Sequence, residues 1–457
     1  MNGRGGEMRR GCICSLVAIL VVFVSHAASA QEAKAKRVTP DEKLTRDVKT
    51  FENLPQWIYN DVDKALAESK KAGKPVLFVF RCVPCEACSH FDRSVIEPDK
   101  ATADWMSRFV LARITYANGL DLRRFQFDWD QSFHVVFMDQ DGRILGRFGT
   151  RSQRPEDEDM TAEGFRAAMQ AALELQSMED KAALALSVKG KEVAKASYAR
   201  PELLPTLLGT YNSTLSKSGN IARSCIHCHQ IRDAERNAIR LTGKPIEPKS
   251  LYPYPLPDVV GMRLSPDHAA KVMSVEPDSP AAAIGLKPGD EIVRLQGQAL
   301  VSPADFQWIL ENTPETAELA FEIRNGKGES LKKTMKLAPG WRAKSDLSWR
   351  PTSWNLRRIA AGGLRLETLP DTEKRNRGLP EDAMALYVKH VGQFGEHAVA
   401  KKAGFVNGDV IVAVDGRTDL PTETSLFAYA LDRPKGTVLK FTVMRKDRRM
   451  EMSFPTQ

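Results

Sequence analysis

The chain has 457 residues, 42% hydrophobic and 27% charged, with a formal charge of +8. This composition excludes a disordered or low-complexity chain, and the length leaves room for three or four domains with their own cores. The basic excess is spread along the sequence and suits acidic partners or membrane surfaces only weakly.

Residues 1–30 read as a secretory signal. Arg4, Arg9 and Arg10 form a basic start, Leu16 to Val24 an apolar core, and Ala28-Ser29-Ala30 a small-residue cleavage site. The core is too short for an ordinary transmembrane helix. Cys12 and Cys14 lack a lipobox-like context, so no lipid anchor is expected. The alternative is an uncleaved signal anchor. No later segment is apolar enough to cross a membrane. The expectation is an exported protein, periplasmic or extracellular, with no nucleic-acid partner. Cleavage leaves Cys82, Cys85, Cys88, Cys225 and Cys228. Two tight clusters speak of chemistry more than stapling. The odd count leaves one thiol unpaired or metal-bound.

Residues 31–50 read as a linker and 51–180 as an α/β domain. Helical spacing over Asp61–Ala72 ends at Gly73, and the apolar run 74–80 predicts a buried central strand. After Cys82, Cys85 and Cys88 a helix starts near Ser89. Strands follow at Phe109–Ile114 and His134–Met138, then an Asp139–Gly142 turn, a return strand to Phe148 and a helix over Thr161–Leu175. A C-x-x-C at the first strand-to-helix junction of this order resembles the thioredoxin-like fold. That resemblance implies that the first redox cysteine is Cys85, ten residues after Pro75. Cys85 would cap the helix as the attacking thiolate. Cys88 would resolve the mixed disulfide, with Cys82 modulating. Thioredoxins carry a cis-proline facing the pair; here the equivalent place is near Ser132-Phe133-His134. Its absence leaves open a metal site of Cys82, Cys85, Cys88 and His90, or a structural disulfide.

Residues 181–255 form a helical segment, with patterns over Lys181–Lys195, Pro201–Tyr211 and from His229 to Leu241. A loop at Ser216–Gly219 precedes Cys225-Ile226-His227-Cys228-His229. C-x-x-C-H is the attachment sequence for c-type haem, with Cys225 and Cys228 bonding the vinyl groups and His229 ligating the iron. Met262, Met273, His227 and His268 are distal-ligand candidates. The alternatives are a plain disulfide or half of a zinc site.

Residues 256–340 and 357–457 are an internal repeat joined by a linker at 341–356. Ile284–Gly297 matches Ala403–Gly416 in the pattern A-G-Φ-x-x-G-D-x-I-Φ-x-Φ-x-G, with Φ apolar. The pattern resembles the PDZ domain, a mainly-β fold. Each copy opens with a tetrad, Gly261-Met262-Arg263-Leu264 and Gly363-Leu364-Arg365-Leu366. In PDZ domains such a loop receives a peptide's terminal carboxylate. An insertion around Asp371–Asp382 lies beside the second groove, so the first copy is the better peptide binder. The alternative is that the repeats only pack against their neighbours. Trp341, Trp349 and Trp354 crowd the connector, as a docking surface or as inter-domain packing.

Signal, thioredoxin-like domain, Cys225–His229 and tandem repeats together resemble the bacterial exported thioredoxin-like/PDZ (seleno)protein family. In some members selenocysteine replaces a redox cysteine, which implies thiol or selenium redox chemistry centred on Cys85. The leading expectation is a thiol–disulfide redox protein with haem c, redox partner proteins, and repeats that recruit protein or peptide C-termini. The alternatives are a non-catalytic PDZ scaffold and a metal-binding protein. No G-x-S-x-G or comparable serine-nucleophile motif occurs, so no serine protease is expected.

Overall fold

The computed structural model describes residues 38–86, 88–180, 184, 197–216 and 221–457. The leader at 1–30, all but Leu184 of the helix expected at Lys181–Lys195 and positions 217–219 of the loop lie outside the described residues.

The first domain is a five-stranded sheet in the order β1-β3-β2-β4-β5. Its strands are β1 (Trp57–Tyr59), β2 (Val76–Arg81), β3 (Val110–Ile114), β4 (Phe133–Met138) and β5 (Ile144–Phe148). β1 and β2 run parallel to β3, while β4 and β5 are antiparallel. Central β2 is buried at all six positions, as a strand covered on both faces must be. The helices are α1 (Pro40–Glu52), α2 (Val62–Ala72), α3 (Ser89–Ile96), α4 (Lys100–Met106), α5 (Glu156–Asp159) and α6 (Ala162–Gln176). The Asp61 carboxylate accepts the Lys64 N–H to start α2, and Gly73, at φ 66°, ends it.

α1 corrects the linker reading of 31–50. Leu44 and Phe51 are buried, and Asp47 accepts from the buried Arg113 guanidinium, which also grips Asp92. An amphipathic stretch with an acidic anchor folds onto the sheet because burying Arg113 requires partners for its charge. Over 201–211 a short 3-10 turn (Pro201–Leu203) and further turns replace the expected helix. The helix after Cys225 is α7 (Cys228–Leu241).

The repeat is a structural one. The first copy comprises β6 (Met262–Leu264) paired with β7 (Val272–Val275), and a sheet β11-β10-β8-β9. These four strands are β8 (Glu291–Leu295), β9 (Gln298–Ala299), β10 (Ala317–Arg324) and β11 (Ser330–Leu337), and helix α8 (Pro303–Glu311) covers the core. The second copy begins with α9 (Ser353–Ala361) and forms one antiparallel sheet, β12 (Leu364–Thr368), β13 (Leu386–Val391), β14 (Val410–Val414), β15 (Val438–Arg445) and β16 (Arg448–Pro455). The insertion carries α10 (Asp371–Asn376), and α11 (Glu423–Leu431) matches α8 in position. The G-D motif does the same work twice. Gly289 N–H donates to Val272 O at 2.8 Å, and Gly408 N–H to Val388 O at 2.9 Å. Both glycines have φ near 94°, a conformation that disfavours a side chain. The Asp290 and Asp409 carboxylates accept the Lys287 and Val406 N–H groups.

The first copy is docked on the thioredoxin-like sheet. The exposed edge of β5 is satisfied by the start of α8: Arg147 N–H donates to Asp305 Oδ1 at 3.1 Å, and Ser302 Oγ donates to Arg147 O at 2.5 Å. Gly146 permits the approach, since a Cβ there would lie 2.5 Å from Val301. Covering an edge in this way also removes a template for aggregation.

Candidate functional site

β2 ends at Arg81, and the chain turns through Cys82 and Cys85 before α3. The Arg81 guanidinium fixes that turn by donating to Cys82 O at 2.6 Å, Cys85 O at 2.8 Å and Ser132 O at 3.1 Å. Cys82 N–H donates to Ser132 O at 2.9 Å, which ties the turn to the start of the segment Ser132-Phe133-His134. Within the turn the Cys82 and Cys85 sulfurs approach to 2.7 Å. Cys88 points elsewhere, with its sulfur 3.6 Å from the Arg151 guanidinium. His90 is exposed on α3.

One expectation needs correcting. Cys85 does not cap α3; Cys88, at φ 59°, occupies that position. The turn from Cys85 to Cys88 holds Cys85 short of the helix, so the helix terminus is not what stabilises its thiolate.

Cys82 is the first partner of Cys85, and the second cysteine cluster lies beside the pair. α7 begins at Cys228, and Gln230 Oε1 accepts the His227 N–H at 2.8 Å, which fixes the start of the helix. His227 Nδ1 lies 3.2 Å from the Cys82 sulfur. The His229 ring stacks on His227 at a centroid distance of 5.6 Å and interacts electrostatically with Cys85. Cys82 Sγ, Cys85 Sγ and His227 Nδ1 all lie within 4.8 Å of one another.

The electrostatics divide the thiols. The Cys82 hydrogen bond pulls Cys85 down to about 4 against the effect of burial, and the His229 hydrogen bond and charge add to the pull. Cys82 moves the other way, well above the ordinary thiol range, through its bond to Cys85 and through burial. Within the pair the negative charge favours Cys85 and the proton Cys82. Burial keeps His227 below the ordinary histidine value and therefore neutral at pH 7. Burial opposes charge on His229, but the hydrogen bond and charge of Cys85 outweigh it and raise its pKa. Burial pushes Cys225 and Cys228 each up to about 12, so both are protonated thiols at neutral pH.

These five residues, as folded, do not fit a porphyrin. Cys225 is buried, and Ile226 packs in the thioredoxin-like core with Phe78, Phe125 and Leu207. His229, the expected iron ligand, is engaged by Cys85. A cavity of about 630 Å³ does lie along α7, bordered by Trp129, Arg232, Tyr254 and Trp308, but Cys225, Cys228 and His229 do not line it. The expected distal ligands are scattered. Met262 is in the first-copy core, Met273 is exposed, and His268 hydrogen-bonds Ser265.

The first-copy tetrad faces the thioredoxin-like domain. Gly261 and Met262 are buried, and Arg263 pairs with Glu158 at 2.9 Å. Leu264 is 9% exposed. Arg154 pairs with Asp258 at 2.6 Å, and Thr161 Oγ1 donates to Asp267 at 2.7 Å. In the second copy Gly363 N–H is taken by Arg357 O, and Leu366 N–H by the Glu423 carboxylate. Of the three tryptophans, Trp341 is buried with its N–H on Pro314 O, and Trp349 lies under the Arg350 guanidinium. Trp354 is half exposed and stacks on His397.

Residues 57–140 match the thioredoxin-like family model, and residues 258–334 match the PDZ domain model. The chain therefore combines a thioredoxin-like domain with a PDZ domain. Over 186 residues it is 27% identical to a "Probable periplasmic serine endoprotease DegP-like" of Pseudomonas fluorescens. That match covers 40% of this chain and 37% of the relative, so the chain spans little more than a third of that curated protein. Among solved structures, the HtrA-type protease AlgW with a tripeptide matches at TM-score 0.19 and 12% identity, covering 30% of this chain and 51% of that one. An AlgW variant with a decapeptide matches at TM-score 0.20 and 12% identity, covering 30% and 48%. Among the described residues, no helix is long and apolar enough to cross a membrane.

Proposed function

We propose that the protein is an exported thiol–disulfide exchange protein whose reactive pair is Cys85 with Cys82, and whose PDZ modules, the second repeat included, recruit protein or peptide partners. The observation that carries this reading is the 2.7 Å approach of the two sulfurs at the strand-to-helix turn, with one of them held as thiolate. The Cys85 thiolate attacks a partner disulfide, forming a mixed disulfide and releasing one partner thiolate, which takes a proton from solvent. Neutral His227, beside the Cys82 sulfur, accepts the Cys82 proton. Cys82 then attacks Cys85, and the second partner sulfur leaves as a thiolate that takes the proton from His227. Two electrons pass to the partner, and a Cys82–Cys85 disulfide remains. The same steps reversed oxidise a partner dithiol.

Export is supported by the leader pattern and is compatible with the periplasmic relative. The test is to treat the reduced, chelator-washed protein with glutathione disulfide and map the products. A Cys82–Cys85 disulfide, absent in Cys85→Ser, is expected. Oxidation confined to Cys225 and Cys228 would overturn the assignment.

A further inference from the structure

We propose that Cys82, Cys85, His227 and His229 form a binding site for one thiophilic divalent cation of the zinc class. The site shares its sulfurs with the exchange pair above but does not depend on their redox activity.

Two chain segments 145 positions apart supply the donors. Three donor atoms already lie within 4.8 Å of one another, and His229, two positions beyond His227 and electrostatically coupled to Cys85, must turn its ring toward the sulfurs to complete the set. Two thiolates and two imidazoles are the donor set of a closed tetrahedral zinc site, with Zn–S near ~2.3 Å and Zn–N near ~2.0 Å. The same softness selects against magnesium and calcium, which take oxygen donors. In a tetrahedral site two thiolates stand roughly 3.7 Å apart. The present 2.7 Å must therefore open by about 1 Å, a side-chain rotation for Cys85, which is only half-buried.

The surroundings suit a metal. Arg81 holds both cysteine carbonyls, so the turn keeps its shape when the sulfurs part. Asp233, one turn along α7, interacts electrostatically with His229, and its buried Oδ1 has no hydrogen-bond partner among the described residues. A carboxylate behind a ligating histidine fixes the ring and raises its basicity. Both sulfurs bind as thiolates, so any proton still on them passes to solvent. Cys88 and His90 are excluded from the set by their directions, one toward Arg151 and the other outward.

The test uses the full-length reduced protein with cobalt(II) and zinc(II). Cobalt should give tetrahedral d–d bands with thiolate charge transfer, and zinc should displace it at one ion per chain. Removing a ligand costs more than the 10–100-fold typical of an outer-shell partner, so His227→Ala should weaken zinc by at least about a hundredfold. His227→Cys should restore binding with stronger charge transfer, which separates loss of a ligand from loss of the fold. Cys88→Ser and His90→Ala should retain the spectrum. Octahedral cobalt, no stoichiometric zinc, or full binding in His227→Ala would overturn the site. Binding without disulfide exchange in the chelated protein would sink only the exchange reading. Exchange without binding would sink only this one.

Discussion

His227 Nδ1 stands 3.2 Å from Cys82 Sγ although 145 positions separate them. The second cysteine motif therefore borders the first, with the His227 imidazole on the Cys82 sulfur and His229 electrostatically coupled to Cys85. His229 supports the thiolate and His227 stands ready for the proton. This division of labour gives each thiol a distinct reactivity.

Cys85 should label first. Its pKa near 4 lies below the ordinary thiol value of 9.0, so thiolate is present from alkaline pH down to the folded value and is lost only below it. In chelator-washed protein, iodoacetamide labelling of Cys85 should be nearly flat between pH 8 and 5. An ordinary thiol slows about tenfold for each pH unit. Cys225 and Cys228, pushed up to about 12, should label only after unfolding. His229→Ala should slow Cys85 labelling at pH 5 by roughly twofold to ninetyfold, since losing a nearby cation typically raises a pKa by about 1–3. Peptide mapping by mass spectrometry reads all of this, and preferential labelling of Cys82 would refute it.

Cys82 rather than Cys88 should close the disulfide. Cys82→Ser should leave Cys85 trapped as a mixed disulfide with glutathione, because no second thiol resolves it. Cys88→Ser should still give the intramolecular bond. If instead Cys88→Ser traps the mixed disulfide, the Cys85–Cys88 pairing stands.

The sequence carried much of the fold and less of the site. The apolar run ending at Arg81, the Asp61 cap with Gly73, and the twice-repeated G-D motif each report a local constraint, and local constraints are visible in spacing. α1 was missed because its stabilisation is tertiary: Asp47 needs Arg113, 66 positions away. The partnership of His227 with Cys82 has the same character. C-x-x-C-H declares ligands but not their neighbours, and no periodicity shows which surface α7 packs upon. The direction of Cys88 turns on a positive φ at a non-glycine residue, which no composition rule predicts.

The Cys225–His229 motif, with Cys225 and Ile226 buried, should remain unmodified by haem. Matured in a haem-attaching host, the denatured protein should show no Soret absorbance, because Cys225 is buried and Ile226 is packed in the core. A Soret band surviving denaturation would mean that this segment adopts another arrangement during export.

The domain docking should depend on Asp305. This carboxylate is fully buried and accepts the N–H groups of Arg147 and Val301, with the Arg147 guanidinium 3.8 Å away. Asp305→Ala strands two amides and leaves a buried cation short of its counter-charge, which should cost about 2–4 kcal/mol. Denaturant titration should show it. If the first repeat merely rests on the sheet, the change will stay near the roughly 0.5 kcal/mol typical of surface substitutions.

Peptide binding at the first repeat should be restrained by the same docking. Gly261–Leu264 offers the carboxylate loop, yet Arg263 is tied to Glu158 and the following turn lies on α6. Gly164 makes that contact possible, for a Cβ there would lie 1.9 Å from Pro266 O. Gly164 has an ordinary helical backbone, so Gly164→Ala favours α6 itself while wedging the loop away. Overpacking of this kind typically costs about 1–3 kcal/mol. If the docked loop is what blocks the groove, that weakening should appear as roughly 5–100-fold tighter binding of free-acid peptides, measured by fluorescence anisotropy on the full chain. Amidated peptides should bind far more weakly in both proteins, because the loop's N–H groups recognise a carboxylate. Equal affinity for amidated and free-acid peptides would point to recognition along the strand instead. A Gly164→Ala protein that is destabilised but binds no tighter would show that the docking does not gate the groove.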